Sequence, residues 1–266
     1  MTTTVLVVPG GAGSIGIVES LRKVDNYKVV AGDVNPNAPA LLRDDVSPYE
    51  FPPIDQEEEY MKELCEVIET EGVDVLLPGY DLDVVTISKR RGDLPNGVSY
   101  LLPEHKMIEI ANDTLRSVRA AMRAGVPVPK TFESVEDFDK EKKDFDFPLF
   151  LKPRSSRGGK GAAKVNTAEE LEYVFNQIAA EWNQPIIQEY IPAETGAMHV
   201  VGLLYDQCGN LNGSFVCRSL RTNFSWGGGG VVGEPVIKED IVKYAVRIVE
   251  ELGGWIGPIN MEFLVD

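Results

Sequence analysis

Cysteine and histidine are rare in this chain. Its 266 residues include three cysteines and two histidines. Cys65, Cys208 and Cys217 are scattered without the spacing of metal ligands, and an odd number of cysteines is typical of reduced thiols. His199 lies inside an apolar run, where a structural role in a core is favoured. We therefore expect neither a disulfide framework nor a metal site built from histidine or cysteine.

Basic residues and long apolar runs are also scarce. The chain has 26 Lys and Arg against 42 Asp and Glu, a net charge of −16. Nucleic-acid binders usually present a basic face, so no nucleic-acid partner is predicted. No apolar run approaches the roughly 18 residues of a membrane span, and the segment Met1–Val8 is too short and uncharged for a signal peptide. We expect a cytoplasmic protein without a membrane partner.

The first hundred residues alternate between strand and helix patterns. Short β-branched runs predict strands, and amphipathic or capped segments predict helices. The predicted strands are Thr4–Val8, Lys28–Ala31, Val73–Leu77 and Val98–Leu101. The predicted helices are Ser14–Lys23, Gln56–Thr70 and Asp81–Lys89. The alternation predicts an α/β fold that begins with a Rossmann-like domain over residues 1–105, built on a parallel sheet.

A glycine-rich turn, Gly11–Gly16, follows the first predicted strand. It matches the dinucleotide fingerprint, and Asp33 ends the second strand roughly where an acid that binds ribose is expected. One hypothesis is therefore an NAD(P)-dependent oxidoreductase. The alternative is that a tight strand-to-helix turn needs glycine whatever it binds. No tyrosine is followed by a lysine four residues later, so the usual catalytic pair of short-chain dehydrogenases is absent.

The second half of the chain has longer strands in hairpins and predicts an α+β domain over residues 106–266. A helical linker occupies about residues 104–130, and the nucleotide-binding part about 130–266. Helices are predicted at Glu104–Ala124, Thr167–Trp182 and Lys238–Leu252. Strands are predicted at Pro148–Lys152, Ala162–Val165, Pro185–Tyr190, Ala197–Tyr205, Gly213–Leu220 and Gly257–Val265. The Gly227–Gly230 run is interpreted as a loop.

A second glycine-rich loop connects two of these strands. A Gly/Ser hairpin can donate backbone N–H groups to phosphates and can open and close as a lid. Its candidate phosphate-binding residues are Ser155, Ser156, Gly158, Gly159 and Gly161. Lys152 ends the apolar strand before the loop, and an unpaired lysine is costly to bury. We expect Lys152 to point into a polar cleft towards a phosphate, and the alternative is a surface lysine on a strand edge.

The segment from Gln188 to Pro192 follows another strand. Its acid, Glu189, could accept from the amino group of an adenine while the neighbouring backbone donates to the ring. The alternative is an ordinary strand end. Further along, Arg218 and Arg221 precede the glycine run. Paired arginines suit a phosphate or acyl phosphate, although surface ion pairing explains them equally well.

The last predicted strand contains Asn260-Met261-Glu262-Phe263. Strand alternation places Asn260 and Glu262 on one face and the two apolar residues on the other. A glutamate that points inward on such a strand is a suitable hard ligand for Mg²⁺. The alternative is an acid on a solvated face.

Taken together, these elements resemble the ATP-grasp superfamily, in particular the branch of the carbamoyl-phosphate synthase large subunit and the pyrrolysine-pathway ligase. The resemblance covers nearly the whole chain. It includes the first glycine turn, Ala111-Asn112-Asp113, Gly125–Pro129, Lys152 with its loop, Gln188–Pro192, Arg218 and Asn260–Phe263. The order and spacing of these elements are specific even though each alone is weak.

The resemblance implies residue roles and a reaction. Lys152 and the loop would bind the phosphates of ATP, and the segment with Gln188, Glu189, Tyr190 and Ile191 would bind the adenine. Glu194 lies near the place of a ribose-binding acid. Arg218, with Arg221, would steady the transferred phosphoryl group, and Glu262 with Asn260 would hold Mg²⁺. The enzyme would join a carboxylate to an amine or a thiol through an acyl phosphate.

The chain departs from the family pattern at three places. Thr114 stands where a basic residue usually follows Asp113, the second acid near Glu194 is missing, and the chain stops at Asp266. The family pattern continues with a second metal-binding glutamate and an Asn-Pro-Arg segment. We therefore expect an ATP-grasp domain incomplete at its C-terminus. It could be a homodimer, rely on a partner for the missing part, or bind ATP without catalysis. A chain that ends naturally here would bind Mg·ATP weakly and show little or no ligase activity alone.

Overall fold

The computed structural model describes residues 2–142, 146–182, 184–192, 197–224 and 227–265. The chain divides into an N-terminal unit of residues 1–109 and a C-terminal unit of residues 110–266. Within the described part, no helix combines the length and apolar character needed to cross a membrane.

The N-terminal unit is built on one parallel sheet. Its strands are β1 (Thr3–Val8), β2 (Tyr27–Asp33), β3 (Val46–Glu50) and β4 (Val75–Pro78). Its helices are α1 (Ile15–Leu21), α2 (Glu57–Glu71) and α3 (Asp81–Lys89), and α4 (His105–Ala111) runs across the boundary between the units. The sheet order is β3-β2-β1-β4. Central strand β1 is buried on both faces, as parallel sheets require, and the predicted Rossmann-like sheet is confirmed.

Two details of this sheet differ from the prediction. The segment Val98–Leu101 is not a strand of the sheet, and its residue Ser99 makes a single parallel bridge to Val75. The Ser99 amide donates to the Asp74 carbonyl, and the Ser99 carbonyl accepts from the Leu76 amide. Two hydrogen bonds on one residue are too few to form a strand ladder. Strand β3 was not predicted. Its sequence Val-Ser-Pro-Tyr-Glu contains a proline, which is tolerated because β3 is an edge strand.

The C-terminal unit contains two four-stranded sheets, ordered β5-β8-β6-β7 and β11-β10-β9-β12. The strands are β5 (Thr131–Phe132), β6 (Leu149–Pro153), β7 (Ala163–Val165), β8 (Pro185–Glu189), β9 (Met198–Tyr205), β10 (Leu211–Phe224), β11 (Gly227–Pro235) and β12 (Gly257–Leu264). The helices are α5 (Thr114–Arg123), α6 (Val135–Glu141), α7 (Ala168–Trp182) and α8 (Glu239–Glu251). All pairings within these two sheets are antiparallel, which confirms the α+β prediction.

Each of these sheets has one face packed on helices. In the first, Leu149 and Leu151 of β6 join a core with α6 and α7. In the second, β9 buries Val201 and Leu203, and α8 packs against this strand with its own buried residues Ile241, Ala245 and Val249.

Two sequence predictions in this unit are wrong. The Gly227–Gly230 run is not a loop but the start of β11, which pairs with β10. Close packing favours glycine at position 230, since a Cβ on Gly230 would lie 2.9 Å from the Ser219 hydroxyl. The single helix predicted at Glu104–Ala124 is two helices, because Asp113 caps the second one and accepts from the Arg116 amide at 3.1 Å.

Candidate nucleotide-binding site

Lys152 lies on the face of its sheet that does not carry the helices. Along β6, Leu149 and Leu151 are buried in the core, and alternation places Lys152 on the other face, opposite Ile186 of β8. Lys152 forms no ion pair with any residue that the structure describes. Burial lowers the pKa of the Lys152 ammonium, and the Glu262 carboxylate opposes this shift. The cation is thus partly desolvated before any ligand binds.

Glu262 lies on the other sheet of the same unit and influences Lys152 electrostatically. On β12 the residues Asn260 and Glu262 are exposed, while Met261 and Phe263 are half-buried, so the predicted alternation is confirmed. The effect of Glu262 on the pKa of Lys152 places the two side chains within electrostatic range. The fold therefore brings a cation and a carboxylate together from positions 110 residues apart in sequence (262 − 152).

The second glycine loop is the connection of an antiparallel hairpin, as predicted. It joins β6 to β7, with Leu149 opposite Val165. Gly158, Gly159 and Gly161 all have positive φ angles, of 60°, 79° and 72°. A side chain at Gly161 would also collide, because its Cβ would lie 2.8 Å from Trp182 Nε1. The loop therefore has a backbone path that depends on glycine.

The start of this loop is fastened to the beginning of α5. Arg154 Nε donates to both carboxylate oxygens of Asp113, at 3.2 and 3.1 Å. Asn112 Nδ2 donates to Ser155 Oγ at 3.1 Å, and Arg157 donates to Asn112 Oδ1 at 3.2 Å. Burial alone would raise the pKa of Asp113, but hydrogen bonds from Arg154 and the α5 backbone lower it below its usual value. The sequence placed Asn112-Asp113 in the family pattern, but nothing in it revealed this connection.

The residues predicted to bind adenine lie at the end of β8. Gln188 is buried on the Lys152 face and donates to Thr131 Oγ1 at 2.7 Å. Glu189 is exposed, projects from the opposite face, and its Oε2 accepts from the Lys130 amide at 3.3 Å. The adenine role of its side chain stays a prediction.

Tyr190 continues the Lys152 face beyond the strand. Its ring lies beneath Lys164 Nζ, 4.3 Å from the centroid. Ile191 is half-buried and follows it. Glu194, the predicted ribose-binding acid, lies outside the described residues.

The structure does not bring Arg218 together with Lys152 and Glu262. Arg218 on β10 pairs with His199 on β9, and His199 pairs with Phe263 on β12. Residues that pair across strands project from the same face of a sheet, so these three side chains lie on the face opposite to that of Glu262. The Arg218 guanidinium forms an ion pair with Glu234 on β11. Arg221 is exposed next to a β-bulge. The phosphoryl-binding role of both arginines stays a prediction.

Oxygen ligands for a divalent cation are few. No cluster of three or more His, Cys, Asp and Glu side chains that could hold a metal occurs among the described residues. Asn260 and Glu262 provide an amide oxygen and a carboxylate on one face of β12. This pair suits a cation whose remaining ligands come from phosphates and water.

A cavity of about 350 Å³ lies in the N-terminal unit, beside the first glycine loop. Gly11, Gly13 and Ser14 line it together with Asp33 at the end of β2. The loop and the acid of the dinucleotide pattern are thus adjacent, as that pattern requires. Neither feature identifies the ligand.

Comparison with known proteins agrees with this architecture. Residues 111–265 match the family model described as the ATP-grasp domain. Because the match covers more than half of the chain, the chain belongs to the ATP-grasp family, and the predicted superfamily is confirmed. The narrower likeness to carbamoyl-phosphate synthase stays a prediction.

Among curated proteins, the chain is similar to two carboxylase components. It is 28% identical over 130 residues to the 2-oxoglutarate carboxylase small subunit of Hydrogenobacter thermophilus, covering 45% of this chain and 28% of that protein. It is 30% identical over 124 residues to the biotin carboxylase of Halalkalibacterium halodurans, covering 44% of this chain and 27% of that protein. The chain thus spans little more than a quarter of the length of these relatives.

Solved structures share the fold over the whole chain. The biotin carboxylase domain dimer of Hydrogenobacter thermophilus 2-oxoglutarate carboxylase, with MgADP, ADP and bicarbonate, superposes with a TM-score of 0.73 at 21% identity, covering 100% of this chain and 61% of that one. N5-carboxyaminoimidazole ribonucleotide synthetase in complex with ADP gives 0.72 at 16% identity, covering 100% and 68%. At these identities the likeness establishes the fold.

Proposed function

We propose that the chain is the nucleotide-binding part of an ATP-dependent ligase that activates a small-molecule carboxylate for attack by an amine. The observation that carries the proposal is Lys152, which lies on the helix-free face of its sheet, is partly desolvated, and is within electrostatic range of Glu262. Burying a lysine that forms no ion pair with a described residue is unfavourable unless an anion binds to it. The phosphates of ATP are such an anion, and the relatives with bound ADP support this choice.

Glu262 and Asn260 fit the Mg²⁺ that accompanies ATP. Magnesium is usually bound in proteins by one or two carboxylates, together with phosphate oxygens and water. When bound, it would neutralise charge on the transferred phosphoryl group. The carboxylate of Glu262 would also keep Lys152 protonated, because it opposes the lowering of the lysine pKa.

The glycine loop would position and cover the phosphates. Its backbone can donate N–H groups, and the hydroxyls of Ser155 and Ser156 add two more donors. The attachment of Arg154 and Ser155 to Asp113 and Asn112 fixes the base of the loop. The remainder of the loop is then free to close over the nucleotide while its first residues stay in place.

The proposed reaction has two steps. A carboxylate oxygen of the substrate attacks the γ-phosphorus, the bond to the β–γ bridging oxygen breaks, and ADP leaves, which gives an acyl phosphate. The amine nitrogen then attacks the acyl carbon, inorganic phosphate leaves with the bonding electron pair, and the nitrogen releases a proton to solvent. A thiol nucleophile would follow the same course. Positioning and charge neutralisation by the protein are the main catalytic contributions to such phosphoryl transfer.

The test traps the acyl phosphate with hydroxylamine. The chain is incubated with Mg·ATP, hydroxylamine and a panel of carboxylates, and hydroxamate and ADP are measured. Because hydroxamate is stable and accumulates, even slow turnover is detected. We expect carboxylate-dependent hydroxamate that disappears in Lys152→Met and persists in Lys140→Met, a matched change at an exposed lysine on α6.

Two outcomes would contradict this proposal. ATP binding without hydroxamate from any carboxylate, even when a longer C-terminus or a partner subunit is supplied, would favour a protein that binds ATP without catalysis. Binding of NADH in place of ATP would favour the oxidoreductase hypothesis.

A homodimer is a further proposal, supported by the domain dimer of the Hydrogenobacter thermophilus carboxylase and testable by light scattering.

A further inference from the structure

The cavity of the N-terminal unit has the position of a ligand site. It is bounded by residues that follow three parallel strands: Pro9 after β1, Asp33 at the end of β2 and Gly79 after β4. Ligands of open parallel sheets bind outside the carboxyl ends of the strands. Its volume of about 350 Å³ is at the small end of the range for ligand pockets.

The charged side chains that line this cavity are all acidic. Asp33 and Asp83 are 7% and 5% exposed, and no lysine, arginine or histidine is among the lining residues. Tyr60 lies within electrostatic range of both carboxylates. Its hydroxyl donates to Asp83, and burial, Asp83 and Asp33 all raise the pKa of that hydroxyl. Both carboxylates therefore lie within electrostatic range of one point in the cavity wall.

Asp33 has hydrogen-bonding capacity left for a ligand. Its Oδ1 accepts from the Asn35 amide at 2.8 Å. Its Oδ2 faces the glycine loop, 3.4 Å from where a Cβ on Gly11 would lie, and accepts from no residue that the structure describes. Asp33 also forms no ion pair within the described ranges. Burying a carboxylate this deeply costs free energy unless a cation or a hydrogen-bond donor interacts with its oxygens.

The rest of the lining is mainly apolar and aromatic. Phe51, Ile54 and Tyr80 contribute to the walls. Aromatic faces attract cations as well as covering apolar groups. A whole dinucleotide does not suit this cavity, because its size exceeds the space of about 350 Å³.

We propose that this cavity binds a small organic amine, with its ammonium group donating to Asp33 Oδ2 and its carbon skeleton against the aromatic wall. Asp83 adds a second negative charge on the same side. Every residue in the proposed site belongs to the N-terminal unit, so binding there can be measured without any nucleotide.

Binding of matched small molecules tests the proposal. The probes are butylamine, cadaverine, histamine, phenethylamine and tyramine, each compared with the alcohol and the carboxylate of the same skeleton, and with NADH. Titration calorimetry on the full chain measures the dissociation constants. We expect saturable binding of at least one amine, and binding of its alcohol or carboxylate about 10- to 100-fold weaker, as expected for loss of a charged hydrogen bond.

Variants locate the site. Asp33→Asn keeps the size and the acceptor for Asn35 but removes the charge, and it should weaken amine binding about 10- to 100-fold. Asp83→Asn is a second variant that should also weaken it. Glu50→Gln is the control, because Glu50 is exposed at the end of β3, opposite Asp33, and outside the cavity lining. Melting without ligand confirms that each variant folds.

Three results would overturn the proposal. The first is that no amine in the set binds. The second is that carboxylates or NADH bind as tightly as the amines and depend on Asp33. The third is that amine binding is unchanged in both folded aspartate variants, which would place it elsewhere.

Discussion

Replacing Asp113 should separate its helix-capping role from its hold on the glycine loop. Asp113→Ala removes the N-cap bond to the Arg116 amide, worth about 1 kcal/mol. It also removes the paired hydrogen bonds from Arg154, at 3.2 and 3.1 Å, between side chains that are 19% and 22% exposed. Charged hydrogen bonds of this kind contribute about 1–2 kcal/mol once partial exposure is discounted. The expected loss in the free energy of unfolding is about 2–3 kcal/mol.

Asp113→Asn is the matched comparison. Asparagine caps helices as well as aspartate does, so only the charge contribution, about 1 kcal/mol, should be lost. Urea denaturation of the three proteins, followed by circular dichroism, measures the two differences. Equal destabilisation by alanine and asparagine would refute the capping role. A loss below about 0.5 kcal/mol for alanine would place the contact among ordinary surface ion pairs and refute the whole argument.

Three further predictions follow from charge and backbone geometry. The pKa of Asp113 is lowered by its partners, so its contribution is present above about pH 4 and is lost as the pH falls through its folded pKa. Acid denaturation should therefore be less steep in Asp113→Asn. The pKa of Lys152 is lowered by burial, so stability should rise with pH between its folded pKa and about 10.4. Lys152→Met should abolish that rise and should increase the free energy of unfolding of the unliganded chain by about 1 kcal/mol at pH 7. A melting temperature equal to that of the unmodified chain would contradict the desolvation of this lysine. Gly161→Ala should lower the free energy of unfolding by about 1–3 kcal/mol, because Gly161 has a φ of 72° and a Cβ there would collide with Trp182. Gly158→Ala should lower it by only about 1 kcal/mol, because a Cβ there meets nothing within 4 Å. Thermal melts of the two variants measure the difference.

The sequence predicted best where a local pattern decides the structure. Buried runs such as Thr4–Val8 are typical of a parallel sheet, and the alternation at Asn260–Phe263 defines which of these residues are exposed. The predicted start of the helix at Thr167 is confirmed by its capping contacts: the Glu170 amide donates to Thr167 Oγ1 at 3.4 Å, and the Glu170 carboxylate accepts from the Asn166 amide at 2.9 Å. Each of these signals needs only a few neighbouring residues.

The sequence failed where distant residues decide. The connection between Asp113 and Arg154 joins positions 41 residues apart, and no local pattern indicates it. The face occupied by Arg218 depends on its register with His199, which spacing along β10 alone does not define. The glycines of β11 have turn-like composition, but strand pairing with β10 overrides that preference.

The most direct test of the account is nucleotide-dependent melting of the chain and two lysine variants. Mg·ATP, Mg·ADP and NADH are added separately to the unmodified chain, to Lys152→Met and to Lys140→Met. A ligand at about 100 times its dissociation constant stabilises the native state by about 2.7 kcal/mol. The account predicts that adenine nucleotides raise the melting temperature of the chain and of Lys140→Met but not of Lys152→Met. A nucleotide shift retained in Lys152→Met, or a shift with NADH alone, would contradict it.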